Sequence, residues 1–234
     1  MSYQNFKNIL FLDIETVPQY PDFEQLDERL SKLWEKKALR IRETEDEDVQ
    51  KTYQKAGIYA EFGKVVCICT GYFHEDNFRI KAFSGHDEKL LLTEFALMLE
   101  TFQKRPGSQL CAHNGKEFDF PYLCRRMLIN GISIPSILDS SGKKPWETSF
   151  LDTMDMWRFG DYKNYTSLDL LTAIFGIDSP KDAIDGSMVG DYYWNKKDLE
   201  AIVTYCKKDV LAIAQLYLKL KGKNQIPKEN VVFL

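Results

Sequence analysis

Asn8-Ile9-Leu10-Phe11-Leu12-Asp13-Ile14-Glu15 is a short, nearly continuous apolar run interrupted by two carboxylates. A strand with one wet face alternates apolar and polar residues. A run without alternation reads as a strand covered on both faces, as inside a partly parallel sheet with helices on either side. The fold class is therefore α/β. Pro18 and Pro21 end the strand, and from Phe23 the apolar positions Leu26, Leu30, Leu33, Trp34, Ala38 and Ile41 recur at helical spacing. A second charged, helix-like stretch runs over about 45–56. The two make a helical insertion over about 22–62, and its run Glu43, Glu45, Asp46, Glu47, Asp48 reads as a solvated helix start.

Segments 65–73 and 78–83 are rich in β-formers and are separated by His74-Glu75-Asp76-Asn77, which predicts an antiparallel hairpin joined by the first strand. Helical spacing returns at Leu90, Leu91, Phe95, Leu97, Met98 and Phe102 and is broken at Pro106-Gly107. A buried strand over 109–113 follows, then a helix over about 121–130. Beyond it come Phe150-Leu151, a segment 154–158, a helix over 167–175 ended by Gly176, a loop to Tyr193, and a long helix over 197–220. Residues 1–222 form one domain in this reading, and 223–234 a tail.

The 234 residues, 44% hydrophobic, suffice for one core. No stretch approaches the roughly 20 apolar residues of a membrane span. The early run stops at Asp13 with no small-residue cleavage site behind it, which argues against export and places the chain in the cytosol. Five cysteines, without a C-x-x-C pair and mostly in apolar stretches, point away from structural zinc and disulfides. With 31 Lys+Arg against 35 Asp+Glu, the net charge of −4 lacks a global basic footprint, so any contact with nucleic acid is local.

Three places break the apolar pattern with carboxylates. Asp13 and Glu15, two apart in extended chain, point to the same face. The same D-x-E spacing occurs at Asp22/Glu24 and Asp198/Glu200, but only the first pair ends an apolar strand, where like charges call for a cation. Turning outward into solvent would serve that pair equally well. Asp119 stands at a loop-to-helix junction with Pro121 in the first turn. Alone it reads as a helix cap, and the neighbouring Phe118 as either a base-stacking ring or a buried staple. Tyr205 and Asp209 are i,i+4 neighbours in the long helix, with Asp209 at the edge of the stripe Ile202, Cys206, Val210, Ile213. The copies of Y-x-x-x-D at Tyr72/Asp76 and Tyr165/Asp169 fall at a turn and at a helix start, where Asp has a capping role. Four carboxylates without an adjacent histidine suit a hard divalent ion, Mg²⁺ or Mn²⁺, and hence phosphodiester chemistry.

In order and spacing, Phe11 to Thr16, Asn114 to Arg126, and Tyr205 to Asp209 resemble the three exonuclease motifs of the DEDD superfamily in its tyrosine-bearing subclass. The resemblance is in particular to predicted 3′-to-5′ exonucleases related to the proofreading domain of family B DNA polymerases. It extends through Ser167-Leu168-Asp169 and Asp185-Gly186-Ser187-Met188-Val189, nearly the whole chain. It implies a ribonuclease H-like fold, a mixed five-stranded sheet flanked by helices. It implies two ions, with Asp13, Glu15 and Asp209 on the first, Asp13 shared with the second, and Asp119 holding the second through water. Tyr205 would orient the attacking water. Thr16, Asn114 and Phe118 would bracket the terminal nucleotide, and Arg126 matches a family arginine for which a phosphate contact or a surface ion pair is equally apt. The implied activity is 3′-to-5′ removal of nucleoside 5′-monophosphates from a single-stranded DNA 3′ end, by an enzyme standing without a polymerase domain. An exoribonuclease and an idle nucleic-acid-binding module are the alternatives, and the insertion has no motif of its own.

Overall fold

Strand β1 (Ile9–Pro18) is the spine of a mixed sheet in a computed structural model that describes residues 3–44, 46–161, 163, 165–178 and 184–234. On one side it pairs antiparallel with β2 (Gly63–His74), from Phe11 opposite Gly71 to Pro18 opposite Gly63. β3 (Asn77–Ser84) closes the expected hairpin. On its other side β1 runs parallel to β4 (Gln109–Ala112), which in turn pairs with β5 (Phe150–Asp152). The parallel pairing of β1 reaches only Phe11. Asp13 and Glu15 therefore lie beyond the carboxyl end of the parallel half, where open α/β sheets leave their crevice.

The unbroken apolar run has a simple cause: alternate residues enter two different cores. Ile9, Phe11 and Val17 pack with Phe73, Phe78 and Ile80 beneath the long helix Leu199–Leu220, through its Ile202, Val210 and Ile213. Leu10, Leu12 and Ile14 pack on the opposite face against the helices Glu88–Phe102 and Asp119–Ile129. Each such aliphatic side chain contributes about 1.5–3 kcal/mol on burial. Asp13 and Glu15 share the parity of Phe11, so they fall on the face that the long helix covers.

In chain order the helices are α1 (Glu28–Ile41), α2 (Val49–Tyr53), α3 (Glu88–Phe102), α4 (Asp119–Ile129), α5 (Thr153–Arg158), α6 (Leu168–Phe175), α7 (Val189–Trp194) and α8 (Leu199–Leu220). The insertion holds α1 and α2 around a small core of its own, in which Trp34 packs edge-on to Tyr53 and Phe62, with centroids 5.3 and 5.0 Å away. Its second helix is shorter than expected, and a 3-10 turn continues it over Gln54–Ile58. The acidic run is not simply solvated. Asp48 caps α2 by accepting from the Lys51 amide, and buried Glu47 accepts from the Glu43 amide at 2.8 Å and pairs with Lys55 at 3.0 Å. Glu45 lies outside the described residues.

Two expectations are corrected among the described residues. The sheet has six strands, not five, in the order β5-β4-β1-β2-β3-β6, because the expected tail supplies β6 (Val231–Phe233) parallel to β3. Gln215 fastens this segment, donating to the Ile226 carbonyl at 3.0 Å and accepting from its amide at 2.7 Å. A three-residue strand carries too little alternation to be visible in sequence. The expected loop to Tyr193 contains α7, whose Trp194 Nε1 donates to the Pro18 carbonyl at 3.0 Å. Six residues are too few for helical periodicity to register, and residues 179–183 of that loop lie outside the described residues.

Candidate active site

β1 delivers Asp13 and Glu15 to one face, and α8 crosses that face with Tyr205 and Asp209 one turn apart. All four line one cleft of about 660 Å³ together with Thr16 and Phe118. Asp119 is buried beneath them at the first turn of α4, with its carboxylate at the backbone N–H of Ile14, between the two β1 carboxylates. It is the first helical residue rather than the cap, since Phe118 occupies the cap position and makes no side-chain cap bond. Three distant stretches thus bring their acidic groups to one place.

Electrostatics favour a cation there. Burial holds the Asp13 carboxyl well above the ordinary carboxylate range, and Asp209, Glu15, Asp119 and Cys69 push it further in the same direction. Glu15 is raised by burial and then by Asp209, Cys69 and Asp119. Asp119 is pushed up to about 7, chiefly by burial and despite backbone N–H groups that favour its charge. Among the described residues, no basic side chain offsets Asp13 or Glu15. Oxygen donors held close under mutual repulsion are the donor set of a hard divalent ion. Tyr205 bonds Asp209 through its hydroxyl, and burial and the three neighbouring carboxylates raise its pKa far above its ordinary value. It stays a protonated hydroxyl at every physiological pH.

A layer of thiols underlies the carboxylates. Cys206 Sγ lies 3.5 Å from both the carbonyl oxygen and Oδ2 of Asp13, and Cys67 Sγ lies 3.7 Å from Cys69 Sγ. The ligand atoms of Cys67, Cys69 and Cys206 fall within 4.8 Å of one another, as do those of Asp13, Glu15 and Cys206. All five cysteines are free. Sequence separation hid this gathering, because each cysteine alone fits an apolar stretch.

Two expected substrate residues stand elsewhere. Arg126 is only 4% exposed and does not line the carboxylate cleft. Its Nε donates to Glu88 Oε1 at 2.8 Å, its Nη2 pairs with Glu88 Oε2, and its Nη1 donates to the Ala60 carbonyl at 2.8 Å. Neither a phosphate contact nor a surface ion pair describes it. It fastens the end of the insertion to α3, with Glu88 also accepting from the Val65 amide at 2.7 Å. Removing one partner of a buried pair leaves an uncompensated charge at about 3–5 kcal/mol. Arg126→Met should therefore lower the melting temperature by about 10 °C in a calorimetric scan. Glu88→Leu/Arg126→Met should lose less than the single change; an unaltered melt in the single variant contradicts the assignment. Asn114 is not part of the cleft wall either. It turns the chain at φ 60°, donates its amide to Asp152 Oδ1 at 2.9 Å, and keeps its side-chain oxygen buried without a partner.

Several residues of the site lie outside the three carboxylate motifs. Asp152 caps α5 and accepts from the amides of Asn114, Lys116 and Met154, which fixes the turn that presents Asp119. Tyr165, 68% exposed, faces the cleft from the loop before α6. Asp169 joins Tyr165, His113 and Gly186 in a second recess beside Asp13 and Asp209, while Ser167 supplies the α6 cap in its place. The copy Tyr165/Asp169 of the Y-x-x-x-D spacing thus borders the site. From the insertion come Glu47, Lys51, Gln54, Lys55 and Ile58.

A family described as predicted 3′-5′ exonucleases related to the exonuclease domain of PolB matches residues 58–228. The chain belongs to this family. The match includes Asp119, Tyr205 and Asp209 and begins after β1, so Asp13, Glu15 and most of the insertion precede it. Among solved structures, the family B DNA polymerase from the hyperthermophilic archaeon Pyrobaculum calidifontis is similar with a TM-score of 0.57 and 16% identity, over 91% of this chain and 24% of the polymerase. The chain thus spans about a quarter of that polymerase's length. The likeness is one of fold, and it places the six-stranded sheet among ribonuclease H-like folds. Membership of the exonuclease family supports nuclease activity. No helix of the described residues is long and apolar enough to cross a membrane.

Proposed function

We propose that the chain removes nucleotides from the 3′ end of single-stranded DNA, releasing nucleoside 5′-monophosphates, with two divalent ions, Mg²⁺ or Mn²⁺. The observation that carries this reading is the convergence of Asp13, Glu15, Asp119 and Asp209 at and beneath one cleft, where burial and mutual repulsion oppose the charge of the first three. Asp13, Glu15 and Asp209 would hold one ion, and Asp13 with Asp119 the other. When bound, such ions lower the pKa of the attacking water and offset charge on the leaving 3′-oxygen. The chain's own contribution is positional. The protonated Tyr205 hydroxyl, anchored on Asp209, aligns the water and takes no proton from it, since burial keeps it from serving as a base. Thr16 and half-buried Phe118 line the cleft beside the carboxylates, where a terminal nucleotide would rest, with the Phe118 ring set 5.4 Å from Tyr122.

Digestion of 5′-labelled single-stranded DNA with Mg²⁺ or Mn²⁺ should give a ladder shortening from the 3′ end, and EDTA should suppress it. A matched RNA run in parallel should shorten more slowly. Faster loss of the RNA would make the chain an exoribonuclease, and no shortening of either strand would defeat the proposal.

A further inference from the structure

The insertion has no motif, yet it lines the cleft that holds Asp13, Glu15 and Asp209: Lys51, Gln54 and Ile58 stand there, in one cleft with Phe118 and Tyr165. The wall is fastened on several sides. Tyr122 donates its hydroxyl to the Gly57 carbonyl at 2.7 Å, Arg126 holds the Ala60 carbonyl, and Gln50 accepts from the Phe23 amide at 2.8 Å. Gly57 lies so close to β1 that a Cβ there would stand 3.0 Å from the Val17 carbonyl carbon. A wall held this firmly is set before any ligand arrives, which spares the ordering cost of binding.

Its charge and exposed surface narrow what it can meet. Lys55 is spent on the insertion itself, between Glu43 at 2.8 Å and Glu47 at 3.0 Å. Lys51 is exposed and forms no ion pair among the described residues. Ile58 is 56% exposed and Tyr165 68%, apolar side chains left open at the mouth of an otherwise acidic cleft. A lone mononucleotide presents one phosphate, to be met on the carboxylate floor. A polymer presents further phosphates and unstacked bases, which need a cation and apolar surfaces beyond that floor.

We propose that this arm of the insertion is the polynucleotide-binding wall of the cleft, with Lys51 contacting a backbone phosphate upstream of the terminal one and Ile58 packing against a base of the single strand. The inference rests on the nucleic-acid reading of the site, and it adds which element grips the polymer.

The test is binding, so that it does not depend on cleavage. Fluorescence anisotropy of the full chain in Ca²⁺ would compare a labelled oligothymidylate that extends beyond the cleft with thymidine 5′-monophosphate measured by competition. Lys51→Glu should weaken the oligonucleotide by about tenfold and reduce the salt slope by about 0.7, the value of one single-strand phosphate contact. The mononucleotide should weaken far less, so the ratio of the two affinities falls. Lys51→Gln should give an intermediate loss, with melting curves reporting an intact fold. Unchanged oligonucleotide affinity, an equal loss for both ligands, or no oligonucleotide binding by the parent chain would overturn the proposal. A chain that binds through Lys51 yet cleaves nothing would refute the nuclease reading and leave the wall standing. A chain that cleaves but is indifferent to Lys51 would do the reverse.

Discussion

Asp13→Asn is expected to slow 3′-terminal cleavage on the order of 10³-fold while making the metal-free protein harder to melt. The two effects have one origin. Asp13 sits under burial and under the fields of Asp209, Glu15 and Asp119, all of which oppose its charge. An isosteric amide removes a repulsive charge from the fold, and it also removes an oxygen donor that a pair of divalent ions would share. Loss of charge stabilisation at the reacting centre of an enzyme costs up to about 4 kcal/mol in barrier, which corresponds to the stated factor in rate. Cys206, whose thiol lies 3.5 Å from Asp13 Oδ2, can keep its contact with an amide oxygen, so the variant leaves local packing in place. Glu200→Gln is the paired control. It alters the D-x-E copy at the start of α8, where Asp198 caps the helix by accepting from the Ala201 amide at 3.0 Å and neither residue lines the carboxylate cleft. Single-turnover digestion and a thermal melt in EDTA measure both quantities. An Asp13→Asn protein that cleaves like its parent removes the carboxylate site from the mechanism; one that melts earlier removes the repulsion argument.

What sequence could reveal followed from distance along the chain. Asp13 and Glu15 were visible because a carboxylate that ends a doubly covered strand is costly, and Asp209 because seven residues from Ile202 sets it at the edge of a buried helical stripe. The partner of Arg126 is Glu88, 38 residues earlier, and no local pattern connects them. The arginine therefore looked like a cleft residue when its work is to hold the insertion. Asp152 was missed for the same reason, since the amides it gathers at Asn114 and Lys116 are 38 and 36 residues away. The short elements α7 and β6 are fixed by tertiary bonds, Trp194 to Pro18 and Gln215 to Ile226, rather than by periodicity. Nothing local marks Lys51, whose helix is brought to the cleft by distant contacts, among them Tyr122 with the Gly57 carbonyl and the close approach of Gly57 to Val17.

Mn²⁺ should protect the fold against heat, and the protection should grow between pH 5 and pH 7.5. Asp119 is raised to about 7, and Asp13 and Glu15 are raised as well, from unfolded values near 4. Below about pH 4 these groups are protonated whether the chain is folded or not, and they cost nothing. From about 4 to 7 the unfolded chain has already released protons that the folded chain retains, so each rise in pH favours unfolding. At roughly 1.4 kcal/mol for each unit, Asp119 alone accounts for about 4 kcal/mol across that window in the absence of ions. Divalent ions reverse the balance, because they bind the charged form and displace those protons. At a hundred times the dissociation constant, binding contributes about 2.7 kcal/mol, or about 5–10 °C for a chain of this size. At pH 5 part of that gain is consumed in stripping protons from the site. Titration calorimetry in two buffers of different ionisation enthalpy should register proton release on Mn²⁺ binding that falls between pH 6 and pH 8, as Asp119 ionises in the ion-free protein. Asp119→Asn should flatten both dependences. A Mn²⁺ shift of equal size at pH 5 and 7.5, with no proton release at either, would mean that the ion does not bind at these carboxylates.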